Sequence, residues 1–170
     1  WCAPCRVFAP VFAAAARRPA TTFGTVDTDV ERDLAIALDI RAGTTSSSPG
    51  NFSAIGSTLY FSASEATTGI ELWKSDGTGA GTTLVKDVLT GTTSSSPSAV
   101  VAAAGTLFFT ATTGTTAPNT GIELYKTDGT NAGTVLVKDV NPGTASGLTS
   151  TSALFAHAGM LLFPATDGVN

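Results

Sequence analysis

One stretch of this chain occurs twice. GIELWKSDGTGAGTTLVKDV, Gly69 to Val88, returns as GIELYKTDGTNAGTVLVKDV, Gly121 to Val140, with sixteen of twenty positions identical at an offset of 52 residues. Shared composition does not produce that level of identity, so the stretch is an internal repeat. A period near 50 built from short strand patterns predicts a propeller or solenoid, in which no unit buries its apolar face alone.

The rest of each unit follows the same plan. GTTSSSP, at Gly43 to Pro49 and again at Gly91 to Pro97, reads as a loop, being a Ser/Thr run closed by Pro. After each copy come two apolar strands: Phe52 to Ile55 with Thr58 to Ala63, and Ala99 to Ala102 with Thr106 to Ala111. Next come ELWKS or ELYKT, a turn DGTGAG or DGTNAG, and a last strand. Four strand candidates between Gly-rich turns match the count of a propeller blade. In the turns, Asp76 and Asp128 are expected to accept backbone amides, with Gly77 and Gly129 supplying positive φ. A calcium-loop reading lacks further Asp or Asn at alternate positions. Trp73 and Tyr125 are expected to pack between units, and Glu71, Lys74 and their repeats to form solvated cross-strand pairs. The second unit carries four extra residues around Thr115 to Pro118. A third opens at Thr144 and reaches Asn170 before any ELW of its own.

Residues 1–42 follow another rule. Val7, Phe8, Val11, Phe12 and Ala15 form one apolar helical stripe, kinked at Pro10. Phe23 and Val26 suit a short strand. Thr28 with Glu31 reads as a capping box opening a second helix. Upstream of the stripe stands WCAPC, in which Cys2 and Cys5 form a CxxC beside Trp1 and Pro4. These are the only two cysteines, too few for a disulfide framework or a four-ligand zinc site, and the single histidine, His157, is remote.

WCAPCRVFAPVF followed by TFGTVDTDVERDLAIALDIR resembles the central portion of a thioredoxin. The resemblance implies that Cys2 is the nucleophile of dithiol/disulfide exchange, that Cys5 resolves the mixed disulfide, and that no cofactor is needed. A helix N-terminus favours the Cys2 thiolate, lowering its pKa toward about 7. The strands and helix that precede the Trp in that family are missing here, and Thr44 falls where the family has a cis-proline. Residues 43–170 resemble the ELWxxDGT repeats of large bacterial proteins, often secreted or surface-associated. ELWKSDGT matches at every fixed position, and ELYKTDGT departs only at Tyr125. That resemblance implies a β-propeller-like array without catalysis.

The expected architecture is therefore mixed: an incomplete thioredoxin-like α/β segment (1–42), then an all-β propeller-like array of two full repeats (43–90, 91–142) and part of a third (143–170). Starting at Trp1, the chain is expected to be a fragment of something longer. Two functions follow: a thiol-disulfide oxidoreductase acting on protein thiols or disulfides, tethered to the array, or a non-enzymatic secreted or surface repeat protein whose ligand the sequence does not name. The first compartment would be cytoplasmic, the second extracellular. A net charge of -4 and a pI of about 4.7 argue against a nucleic-acid partner. No run approaches the roughly 20 apolar residues of a membrane span.

Overall fold

The computed structural model describes residues 46–114 and 121–169. The thioredoxin-like stretch with Trp1, Cys2, Pro4 and Cys5 lies outside the described residues, as does the four-residue insertion of the second unit. Everything described is strand, turn or loop, and all strand pairing is antiparallel.

The first unit is a meander of β1 (Gly50–Ile55), β2 (Thr58–Glu65), β3 (Gly69–Ser75) and β4 (Thr83–Lys86), hydrogen-bonded in that order. The second repeats it with β5 (Ser98–Ala103), β6 (Thr106–Thr112), β7 (Ile122–Thr127) and β8 (Val135–Lys138). β9 (Phe155–His157) and β10 (Met160–Leu162) pair as a two-stranded ribbon. Two-residue turns close the first hairpin of each unit. At Ala104-Gly105 and Ala158-Gly159 both central residues have positive φ, the type I′ geometry whose twist matches that of paired strands.

The innermost strand of both full units carries the same bulge. Asn51 and Phe52 together oppose the single position of Phe61, and Ala99 and Val100 that of Phe109. The first bulge residue is left-handed in each, Asn51 at φ +54° and Ala99 at φ +49°. Asn51 tolerates this, whereas Ala99 is held there by its surroundings.

The sheets stack face to face. Tyr60, Leu72 and Val85 of the first meet Leu107, Phe109, Ala111 and Tyr125 of the second in one buried cluster. Phe109 and Tyr125 stack with ring centroids 5.6 Å apart. Full burial of side chains such as Phe109 contributes about 2–3 kcal/mol each. Leu124 of the second sheet meets Leu148 and Leu154 of the third unit, with Phe108, Leu161 and Phe163 packed around them. β1 lies against β5 and β5 against β9, so the innermost strands run side by side. In β2 five consecutive residues, Leu59 to Ala63, are buried, and in β6 three, Phe109 to Ala111, so neither strand keeps a strict alternation.

Candidate functional site: a glutamate clasp between units

The chemistry in the described residues lies where one unit hands over to the next. From β4 the chain crosses back along residues 87–97 to reach β5 of the following sheet, and this loop has backbone amides to satisfy. Glu71, at the start of β3, satisfies three donors. Ser95 N donates to its Oε1 at 2.8 Å, while Ser95 Oγ and Val88 N donate to Oε2 at 2.5 and 3.1 Å. Glu123 repeats the arrangement 52 residues on, accepting Gly147 N at 2.5 Å and Val140 N at 3.1 Å. Gly147 stands where the preceding unit has Ser95, and a Cβ there would lie 2.6 Å from Glu123 Oε2.

The clasp is stitched further by main chain. Ser96 N donates to Ile70 O, and Thr112 N of β6 donates to Ser95 O, so the loop bonds both sheets it joins. Leu148 N to Ile122 O and Thr166 N to Gly147 O repeat both bonds one unit later. Ile70 N and Ile122 N each donate to a serine hydroxyl oxygen, Ser94 Oγ and Ser146 Oγ, at 2.9 and 3.0 Å. Gly69 and Gly121 admit this passage: both have positive φ, and a Cβ on Gly121 would meet the Ala145 backbone at 2.8 Å.

Both glutamates are wholly buried. The expectation of solvated cross-strand pairs for Glu71 and Lys74 is therefore corrected. Glu71 sits opposite Ala63, not a lysine, and the amides of the crossing loop draw it inward. Burial pushes its carboxyl up to about 7, against the hydrogen bonds from Ser95 and Val88, and the nearby Asp87 charge adds to the rise. Glu123 is raised by burial in the same way. Burial and these two carboxylates together push Tyr125 up to about 12.

Lys74 and Lys86 also reach across units. Lys74 Nζ donates to Gly129 O at 2.7 Å and Lys86 Nζ to Thr134 O at 2.8 Å, both on the β7–β8 hairpin. The DGT turns that present those carbonyls are self-contained. Asp76 Oδ1 accepts Thr78 N at 2.9 Å and Thr78 Oγ1 at 2.7 Å, and Asp128 does the same with Thr130. Gly77 and Gly129 sit at φ +92° and +88°. These hydrogen bonds hold both aspartates below the usual carboxylate range, and at Asp128 the Lys74 charge contributes. Among the described residues no three His, Cys, Asp or Glu side chains cluster to hold a metal.

Tyr125 is buried between sheets, and Trp73 packs on Leu59, Phe61 and Ala63. His157 is exposed on β9. An open cleft of about 400 Å3 lies where β1, β5 and residues 150–154 converge, with Phe52, Ala99, Val101 and Leu154 in its wall. Asn51 Nδ2 donates there to Pro97 O at 3.0 Å and Ser98 Oγ to Ser150 O at 3.0 Å, so the cleft floor is another unit-to-unit contact. No helix among the described residues is long and apolar enough to cross a membrane. The chain matches no protein-family model, no curated protein and no solved structure.

Proposed function

We propose that residues 46–169 work as a non-catalytic, β-propeller-like repeat module whose role is structural or binding. The observation that supports it is the clasp. A buried carboxylate ties each crossing loop to the sheet before it, at Glu71 and again at Glu123, so adjacent units form one stack of the kind that repeat arrays use. Hydrogen exchange on a Glu71→Ala chain tests this. An array expects faster exchange in both β3 and β6, because the loop joins them; acceleration confined to β3 would count against it.

A second reading, thiol-disulfide exchange on protein thiols by Cys2 and Cys5 without a cofactor, is favoured by the WCAPC sequence. Its test is the pH dependence of Cys2 alkylation against a Cys5→Ser variant and a denatured control. A midpoint well below the free-thiol value of about 8.5 supports it, and a midpoint unmoved by denaturation removes it.

A further inference from the structure

The turns Asp76-Gly77 and Asp128-Gly129 need glycine because the second residue sits at φ +92° and +88°. A glycine amide is also the least hindered nucleophile that the neighbouring aspartate carboxyl can meet, so an Asp-Gly step is the peptide bond most prone to close into a succinimide. In each turn one chain of hydrogen bonds occupies that amide. Gly77 N donates to Ser75 Oγ at 3.0 Å, Ser75 Oγ lies 2.8 Å from Thr82 Oγ1, and Thr82 Oγ1 donates to Thr78 O at 2.7 Å. Thr82 has spent its one proton on that carbonyl. Ser75 is therefore the donor to Thr82, and its lone pair is left for the glycine N–H. The second turn repeats the chain: Gly129 N to Thr127 Oγ1 at 2.9 Å, Thr127 to Thr134 at 2.7 Å, and Thr134 Oγ1 to Thr130 O at 2.6 Å. Ser75 and Thr127 are both buried. One repeat uses serine and the other threonine, so what the two turns share at this position is the hydroxyl.

We propose that Asp76 and Asp128 are latent sites of isoaspartate formation, and that the buried hydroxyls of Ser75 and Thr127 protect them. The inference is independent of what the array binds. In the reaction, base removes the proton of Gly77 N, the nitrogen attacks Cγ of Asp76, and the carboxyl oxygen leaves as water. Water then re-enters the ring at one of two carbonyls. Attack at Cγ restores aspartate; attack at the former main-chain carbonyl leaves the chain running through the side chain, as isoaspartate. No other reactant is needed. The turn opposes both steps. A hydroxyl lone pair facing the N–H disfavours the amide anion. Thr78 N and Thr78 Oγ1 both donate to Asp76 Oδ1 and hold the group as carboxylate, whereas the leaving oxygen must depart protonated. The carboxyl also lies against Gly81, where a Cβ would collide with it, and Asp128 lies against Gly133 in the same way. Isoaspartate at position 128 would add a carbon to the main chain beside Gly129, whose carbonyl Lys74 Nζ holds at 2.7 Å, so damage there reaches the contact between units.

The test incubates the full chain at neutral pH in water enriched in heavy oxygen, folded and in urea. Peptide mapping reads isoaspartate at each step, and heavy-oxygen uptake at Asp76 and Asp128 counts succinimide openings. The folded chain should convert at least roughly tenfold more slowly than the unfolded one at both steps. Ser75→Ala should accelerate Asp76 by roughly threefold to tenfold, the effect of losing one hydrogen bond, and leave Asp128 at its original rate. Thr127→Val should do the converse. The undisturbed step in each variant reports that the chain is still folded. Ser75→Thr keeps the hydroxyl and should keep the original rate at Asp76. Equal rates in the folded and unfolded chain, or no acceleration of Asp76 by Ser75→Ala, would overturn the proposal. So would a Ser75→Thr chain that reacts as fast as Ser75→Ala, since the shape of the turn would then matter and the lone pair would not. Should Ser75→Ala loosen the whole chain and raise both steps, the exchange Ser75→Thr with Thr127→Ser decides: original rates at both steps support the proposal, and acceleration at either overturns it.

Discussion

Glu71→Ala is the perturbation whose cost follows most directly from the geometry. It strands one buried main-chain donor, Ser95 N, and one part-buried, Val88 N, and releases the Ser95 hydroxyl, which can rotate to another acceptor. A stranded buried donor costs about 1–3 kcal/mol and the part-buried one about 1 kcal/mol, so the loss is about 2–4 kcal/mol where Glu71 is neutral. At higher pH the loss is smaller, because the variant also removes a charge that burial disfavours. Glu71→Gln keeps one carbonyl oxygen. Placed to accept Val88 N and Ser95 Oγ, it turns its amide against Ser95 N–H, and the loss is about 1–2 kcal/mol. The pH dependence has a definite sign. Glutamate titrates near 4.5 when unfolded and about 7 here, so between those values the folded chain binds more protons than the unfolded one. Stability from this group is then fully present below about 4.5, falls as pH rises through the window, and levels off above about 7. Glu71→Gln removes that contribution, and Glu123→Gln removes the parallel one. The assay is urea unfolding from pH 4.5 to 8. A loss under about 0.5 kcal/mol for Glu71→Ala, or a pH slope unchanged in the double Gln variant, would refute the clasp as described.

Other substitutions test separate contacts. Gly121→Ala should cost about 2 kcal/mol or more in the same assay, from its positive φ and from a Cβ that meets the Ala145 backbone; a neutral result would mean the crossing loop does not run where it is drawn. Ala99→Gly relieves the left-handed alanine of the β5 bulge, a gain of about 1 kcal/mol, but removes a methyl packed against the Leu124, Leu148 and Leu154 cluster, so the net change should stay within about 1 kcal/mol of zero; a larger loss would show that the packing outweighs the strain. For Asp76 and Asp128, whose carboxyls are lowered by their turn hydrogen bonds, the stabilisation is present above the ordinary aspartate range and disappears as pH falls below it. Asp76→Asn with Asp128→Asn should therefore flatten the acid limb of the unfolding curve, and an unchanged limb would dismiss the turn carboxylates as its source.

The strands and their turns were legible because they follow local rules. Period-2 apolar runs, Asp-Gly-Thr turns and a repeat at fixed offset each constrain a few neighbouring residues, and β1 to β8 lie within a residue or two of those runs. The clasp was not legible because it depends on a contact 24 residues away in sequence, between Glu71 and Ser95. In a half-buried strand a glutamate scores as solvent-facing; only the unpaired amides of the crossing loop reverse that. A signal was present nonetheless: Glu71 and Glu123 are identical in the two repeats, each followed 24 residues later by a residue of the crossing loop, Ser95 or Gly147.

The same reasoning explains why one buried serine stands apart from its counterpart. Ser47 is the first unit's counterpart of Ser95, and its carbonyl accepts Ser64 N at 2.7 Å as Ser95 O accepts Thr112 N. Its hydroxyl is fully buried and has no hydrogen-bond partner among the described residues, whereas that of Ser95 donates to Glu71. An unpaired buried hydroxyl costs about 1–3 kcal/mol, so Ser47→Ala should be neutral or mildly stabilising while Ser95→Ala destabilises. Two chemically identical substitutions, opposite in sign, would then report directly on the glutamate that distinguishes their sites. Equal losses from both would mean that the serines serve the loop's conformation, with the carboxylate incidental to them.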